Sequence, residues 1–223
     1  MSEIREVATG LQFPEGPIAM PNGDVILVEI ARGTLSRVKP DGSVEVVAET
    51  GGGPNGAAIG PDGACYVCNN GGFRWHFKGD KIFPGYQDDD YSGGRIERVD
   101  LETGKVEVLY TECDSHLLRG PNDIVFDKDG GFWFTDHGKI RPRDEDRTGV
   151  YYAKADGSFI TEAIFPIGGP NGIGLSADEK TLYVAETHAG RCWAYEIESP
   201  GKIVRGQGEA PWEPGKLLLG VSM

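Results

Sequence analysis

Apolar residues in this chain fall in short runs separated by turn-forming residues. The richest runs are Val25-Ile26-Leu27-Val28, Cys65-Tyr66-Val67-Cys68, Phe132-Trp133-Phe134-Thr135 and Leu182-Tyr183-Val184-Ala185. Each follows a turn: Pro21-Asn22-Gly23-Asp24, Pro61-Asp62-Gly63, Lys128-Asp129-Gly130-Gly131 and Ala177-Asp178-Glu179-Lys180. Asn-Gly and Asp-Gly adopt the positive φ angles that tight hairpin turns require, so these sites predict hairpins. No stretch repeats its apolar residues at helical spacing.

Upstream of each hairpin a phrase recurs: Pro14-Glu15-Gly16-Pro17, Gly53-Pro54-Asn55-Gly56, Gly120-Pro121-Asn122-Asp123 and Gly169-Pro170-Asn171-Gly172. A third strand follows each hairpin, as in Thr34-Leu35-Ser36-Arg37-Val38 and Trp193-Ala194-Tyr195-Glu196-Ile197. The intervals from Glu15 to Asn55, to Asn122 and to Asn171 are 40, 67 and 49 residues. Propeller blades of four antiparallel strands recur at about 40 to 50 residues. The pattern therefore predicts an all-β fold, a β-propeller over residues 1–223, with a loop insertion at 71–94 in the long interval. Four matched phrases at matched offsets set this reading above a β-sandwich with chance turn similarity.

In such a blade the innermost strand starts at the Glu or Asn of the phrase and leaves one face of the disc, and the second strand returns to that face. Glu15, Asn55, Asn122 and Asn171 are thus expected around a single channel mouth. One carboxylate and several amide oxygens suit a hard cation such as Ca²⁺, Mg²⁺ or Mn²⁺ better than Zn²⁺, which favours His and Cys. Asn and Asp beside Gly are also ordinary turn residues, so the phrase has a purely architectural reading too. The insertion carries Arg74, Trp75, His76, Tyr86 and Asp88-Asp89-Asp90, which suits a pocket wall or lid, or else a surface loop or subunit contact.

Composition narrows the partners. The formal charge of −13 disfavours nucleic acid and anionic lipid surfaces. The 34 glycines and 14 prolines are dispersed, as many tight turns require. Residues Met1 to Glu6 show no basic region followed by an apolar run, so no signal peptide or membrane span is expected, and a cytoplasmic location is the default. Four cysteines are few for a disulfide scaffold. Cys65 and Cys68 fall three apart in a predicted strand, which puts them on opposite faces. No Gly-x-Ser-x-Gly elbow marks a serine hydrolase.

Phe13-Pro14-Glu15-Gly16-Pro17 begins a series of motifs spread in order from about residue 10 to residue 200. Arg119-Gly120-Pro121-Asn122-Asp123 with Phe132 to Asp136 comes next, then Gly169 to Ser176 with Leu182 to Thr187. Together they resemble the family of senescence marker protein (regucalcin), bacterial gluconolactonases and luciferin-regenerating enzyme. The resemblance implies a six-bladed propeller that hydrolyses sugar-type lactones with one divalent cation, Ca²⁺ first among Ca²⁺, Mg²⁺, Mn²⁺ and Zn²⁺. It implies Glu15, Asn122 and Asn171 as metal ligands. The family's fourth ligand, an Asp that is also its usual general base, is expected beyond Met223, with the closing C-terminal blade. The catalytic residue is therefore left unnamed; Asp123 and Asp136 are the carboxylates to consider should another serve. Asn55, Arg119, His137 and His188 are the candidate substrate contacts, although Arg119 sits one residue further from Asn122 than the family pattern prefers. The partner is a small-molecule lactone, and the oligomeric state is open. The competing reading is a non-enzymatic propeller that holds a metal or ligand. A strictosidine-synthase-like relative would lack Glu15 with both Asn.

Overall fold

Turn chemistry shapes the chain as its residues require. Gly23, Gly63 and Gly130 sit at φ of 89°, 79° and 81° in the first three hairpins. The fourth places Glu179 at φ 56°, a left-handed position without glycine. Its carboxylate accepts the Lys128 N–H at 3.1 Å, which ties this turn to the preceding one. The computed structural model describes residues 4–206 and 215–220; the remainder, Met223 included, lies outside the described residues.

The first sheet is a meander of β1 (Pro14–Ala19), β2 (Val25–Glu29), β3 (Thr34–Val38) and β4 (Val44–Glu49). The second joins β5 (Pro54–Ile59) and β6 (Cys65–Asn69) to β9 (Arg95–Val99) and β10 (Val106–Tyr110). Between them, β7 (Phe73–Lys78) and β8 (Lys81–Gln87) form a separate two-stranded sheet. The insertion expected as a loop is thus a β-hairpin: Phe73, Trp75 and Phe77 alternate along β7, and β7 pairs with β8 from Phe73↔Gln87 to Lys78↔Lys81. A short pair, β11 (Glu112–Cys113) and β12 (His116–Leu117), precedes the third meander. That meander is β13 (Pro121–Phe126), β14 (Gly131–Asp136), β15 (Thr148–Lys154) and β16 (Ile160–Ile167). The fourth comprises β17 (Pro170–Leu175), β18 (Thr181–Glu186), β19 (Arg191–Ser199) and β20 (Lys202–Ile203), with β21 (Lys216–Gly220) also paired to β19. Among the described residues no helix is long and apolar enough to cross a membrane.

Three cores lie between successive sheets. Ile26, Val28 and Leu35 meet Cys65, Val67 and Val99. Tyr66, Cys68, Ile96 and Tyr110 meet Phe132, Phe134 and Tyr151. Trp133, Val150 and Tyr152 meet Leu182, Val184, Trp193 and Tyr195. Strand alternation explains the division: Phe132 and Phe134 face one core while Trp133 faces the next. Cys65 and Cys68 likewise enter different cores, with burial raising both thiols, Cys65 to about 12.

All four inner strands slip register at their first residues, between Glu15 and Ile18, Pro54 and Ala57, Pro121 and Ile124, and Pro170 and Ile173. A bulge of this kind re-aims side chains at the end of a strand. The slips fall on Glu15, Asn55, Asn122 and Asn171. Glycine permits close approach there. A Cβ on Gly16 would stand 2.8 Å from the Ala57 nitrogen, and one on Gly56 would stand 2.6 Å from Asp123 Cα.

A polar residue ends each second strand and secures the connector entering its inner strand. Glu29 accepts the Gln12 N–H at 2.7 Å, and Asn69 accepts the Gly53 N–H at 2.9 Å. Asp136 accepts the N–H groups of Arg119, Gly120 and Gly138 at 2.7, 2.7 and 2.9 Å. Glu186 accepts the Gly168 N–H at 3.0 Å and the Trp193 indole at 2.9 Å.

Gly56→Ala should destabilise by about 1–3 kcal/mol, because the neighbouring inner strand must move. Gly174→Ala, with nothing within 4 Å of the added methyl, should stay within about 0.5 kcal/mol of the parent. Urea midpoints of the two variants check the pair, and equal midpoints would refute the close-approach argument.

Asp136→Ala strands three N–H groups and should cost at least about 3 kcal/mol. Burial pushes this carboxyl from 3.8 up to about 6, against the pull of its three donors. The folded protein therefore keeps this proton to higher pH than the unfolded chain. The group's contribution is fully present below pH 3.8 and declines as pH rises through about 6. Denaturation of parent and variant across that window should show the difference in stability between them shrinking as pH rises from about 4 to about 6, and a constant difference would refute it.

Candidate metal and substrate site

The starts of β1, β5, β13 and β17 surround one cavity of about 290 Å³. Glu15, Asn55, Asn122, Asp123 and Asn171 line it, together with the tight Gly16 and Gly56 positions. Four sheets thus bring together the four residues singled out from the repeated phrase. Asn55 and Asn122 are 9% and 8% exposed, while Glu15 and Asn171 are exposed. None of the three Asn side chains makes a hydrogen bond among the described residues, and none is among the fully buried unpartnered polar atoms, so these amides reach the cavity surface, where water or a ligand can satisfy them.

The carboxylates differ. Glu15 has only a long contact from its neighbour's N–H, Gly16, at 3.4 Å. Asp123 accepts the Ile124 N–H at 2.9 Å and, across the sheet boundary, the Ile173 N–H at 3.0 Å. Burial raises its pKa and those two donors oppose the shift. Beside it, the Thr135 hydroxyl donates to the Asn171 carbonyl at 2.6 Å and accepts the Asp123 N–H at 3.1 Å. The backbone of Asn171 is therefore held by the third sheet.

Among the described residues no Lys, Arg or His lines this cavity. Two carboxylates and three amides form an oxygen-donor set with net negative charge, which matches a hard divalent cation. Among the described residues no cluster of three or more His, Cys, Asp or Glu could hold a metal, so the fit depends on amide oxygens. Sequence reasoning named Asp123 only as a substitute base. The departure from Gly at the position after Asn122 was the signal for it.

The other candidates stand outside this cavity. The Arg119 guanidinium pairs with Asp146 at 3.1 Å and lies 5.7 Å from the centre of the Tyr91 ring. His137 and His188 meet edge to face, with ring centres 5.3 Å apart. His188 Nδ1 is 3.5 Å from the Glu145 carboxylate, and His188 lines a second cavity of about 350 Å³ with Glu186 and Arg147. Burial lowers the His137 pKa, and the charge of His188 adds to the effect. Asp136 is fully buried with both oxygens engaged in fastening backbone, which leaves it no place in the cavity.

The hairpin β7–β8 leaves the second sheet on the mouth face, because β6 ends beside Pro54 at the start of β5. Its Trp75 packs on Phe13 at 5.2 Å, two residues before Glu15. At its base, beside Phe73, the Gln87 N–H donates to the Ile140 carbonyl at 3.0 Å. The base of the hairpin therefore touches both the segment entering the first sheet and the loop after β14.

Known proteins are similar to this chain in sequence and in fold. Lactonase drp35 of Staphylococcus saprophyticus is 31% identical over 197 residues, covering 87% of this chain and 54% of its own length. Gluconolactonase of Zymomonas mobilis is 27% identical over 222 residues, covering 89% of this chain and 56% of its own. The chain thus spans about half the length of the curated relatives it matches. Among solved structures, a gluconolactonase from Xanthomonas campestris superposes with a TM-score of 0.67 at 23% identity, covering 86% of this chain and 61% of that one. A virginiamycin B lyase from Staphylococcus aureus superposes with a TM-score of 0.61 at 20% identity, covering 88% and 56%. At these identities the structures speak for the fold alone. The pattern of the SMP-30/Gluconolactonase/LRE-like region matches residues 13–210, and the chain belongs to that family.

Proposed function

We propose that the full-length protein hydrolyses sugar-type lactones at the Glu15 mouth with the help of one divalent cation, Ca²⁺ first among the hard cations. The observation that carries this reading is the cavity itself: four inner strands aim a weakly held carboxylate and three unbonded amides into one small space that, among the described residues, no cationic side chain lines. The lactonase and gluconolactonase names of the relatives supply the reaction class.

Glu15, Asn122 and Asn171 are the residues that would hold the cation. Bound there, it would supply a Lewis acid for the ring-ester carbonyl and an acidified water. Glu15 contributes the mobile negative charge. Asn122, mostly buried, contributes an oxygen fixed by the strand bulge. Asn171 is positioned through Thr135 and the Asp123–Ile173 bond. Asn55 presents its amide to the hydroxyls of a sugar ring, and Asp123 adds negative potential while its oxygens secure the fourth inner strand. His137, His188 and Arg119 lie further out, where they face the periphery of a bound ring. The six-bladed count, and the later Asp that completes the ligands and serves as base, belong to the same proposal.

Glu15→Gln should weaken cation binding by at least about tenfold, since it removes the cavity carboxylate whose one backbone contact is the long one from Gly16 at 3.4 Å. Asn122→Ala and Asn171→Ala each remove a neutral oxygen and should cost less. Calorimetric titration of Ca²⁺, Mn²⁺ and Zn²⁺ into each variant is the test; equal affinity in Glu15→Gln and the parent would place the ion elsewhere.

Hydrolysis of aldonolactones by the full-length protein should stop on chelation and return when the cation is restored. Turnover that survives chelation removes the cation from the mechanism. Cation binding without turnover of any lactone would instead favour a ligand-binding propeller.

A further inference from the structure

Lys139 is 1% exposed, and the catalytic reading has no use for it. Its ammonium donates to Asn70 Oδ1 and to the Gly72 carbonyl, both at 2.8 Å. It also lies 3.8 Å from the centre of the Phe73 ring and 5.6 Å from that of Tyr91. Among the described residues no carboxylate pairs with the ammonium, while the Lys139 backbone N–H donates to Asp146 Oδ2 at 3.0 Å. Burial pulls its pKa down to about 7, with Asp136, Asp146 and Asp88 acting in the opposite sense from further away. Burying a lysine without a salt bridge is expensive. What offsets the cost here is two hydrogen bonds and two aromatic faces, and three of those four partners belong to the insertion.

Those partners are the base of the β7–β8 hairpin and the end of the insertion. The next residues continue the seam: the Ile140 carbonyl accepts the Gln87 N–H at 3.0 Å, and Arg141 Nη1 donates to Gln87 Oε1 at 3.1 Å. Three consecutive residues after β14 therefore grip both strands of the hairpin. Its other support is Phe13, whose φ of 57° is a left-handed position uncommon for a bulky residue. The strain, of order 1–3 kcal/mol, places the Phe13 ring 5.2 Å from Trp75. Asn70 completes the link to the mouth, since its N–H donates to the Gly53 carbonyl at 2.8 Å, two residues before Asn55.

We propose that the β7–β8 hairpin is a fixed wall of the mouth that discriminates among lactone rings, and that Lys139 is the positioning residue that clamps it. The identity of the ring rests on the lactonase reading; the clamp does not. A hairpin alone is marginal in water, and among the described residues this one pairs with no other sheet. It is held by its supports at Phe13 and at residues 139–141. A methionine in place of Lys139 keeps the length and apolar packing while removing both hydrogen bonds and the charge.

The test is hydrogen exchange on the parent, Lys139→Met and Trp75→Ala proteins, with kinetics on the full-length enzyme. In Lys139→Met, amides of residues 73–87 should lose at least about tenfold in protection, while those of β14 hold or gain, because a buried charge has been removed. In kinetics, the preference for a hydroxylated six-carbon lactone over unsubstituted butyrolactone should shrink at least about threefold, chiefly through a higher KM for the former. Trp75→Ala releases the opposite support and should give the same pattern, which decides the matter if Lys139→Met does not fold. Unchanged protection over 73–87, or equal loss in β14, overturns the clamp. Loss of hairpin protection with ring preference intact overturns the wall. Absence of lactone turnover in the parent would refute the lactonase reading and the wall's substrate with it, while the exchange data would still judge Lys139.

Discussion

The architecture depends on one recurring bond: a polar side chain at the end of the second strand accepts a backbone N–H from the connector that enters the inner strand. Each inner strand opens on Pro14, Pro54, Pro121 or Pro170, residues that have no N–H to give. The connectors before them enter a crowded mouth, where an unpaired N–H would cost about 1–3 kcal/mol. Glu29, Asn69, Asp136 and Glu186 meet that demand from equivalent positions, each paired in register with the proline. This bond sets where each inner strand starts, and so where Glu15, Asn55, Asn122 and Asn171 point.

Much of this was legible in the chain. The unbroken apolar run Phe132-Trp133-Phe134 suits a strand buried on both faces, and the structure puts its side chains into two cores. The offset of three between Cys65 and Cys68 separates them in the same way. The Asn-Gly and Asp-Gly turns fall where hairpins form, because glycine reaches positive φ without strain. Convergence of the four phrase residues followed from strand direction alone.

Other features were hidden for physical reasons. A lysine in a polar loop reads as solvated, and nothing near Lys139 in sequence reveals that Asn70, Gly72 and Phe73 will enclose it. The hairpin was read as a loop because its alternation is interrupted by Pro84-Gly85 and its exposed Phe77 and Phe83 blur the inside–outside pattern. The fasteners were visible as polar residues at the ends of apolar runs, but in a strand-end position they are indistinguishable from mouth residues until their partners are known. Arg119 precedes β13, and His137 and His188 follow β14 and β18, so their separation from the cavity depends on loop paths that spacing does not encode.

The bulges also explain why the mouth can serve chemistry as well as architecture. A regular ladder would commit the first residues of each inner strand to pairing and point their side chains along the sheet faces. The slip frees the N–H of Ile173 from that ladder, and Asp123 takes it, so one carboxylate is consumed in joining the third and fourth sheets. Glu15 has no such duty. The amides of Asn55, Asn122 and Asn171 likewise owe nothing to the fold among the described residues. Negative charge that stability does not use is thus collected where four sheets meet, within rigid walls set by Gly16 and Gly56. In a partly desolvated cavity, charge interactions exceed their value in bulk water several-fold. On the proposed reading a cation occupies this site, and the walls that keep it narrow are the same strand contacts that keep the sheets together.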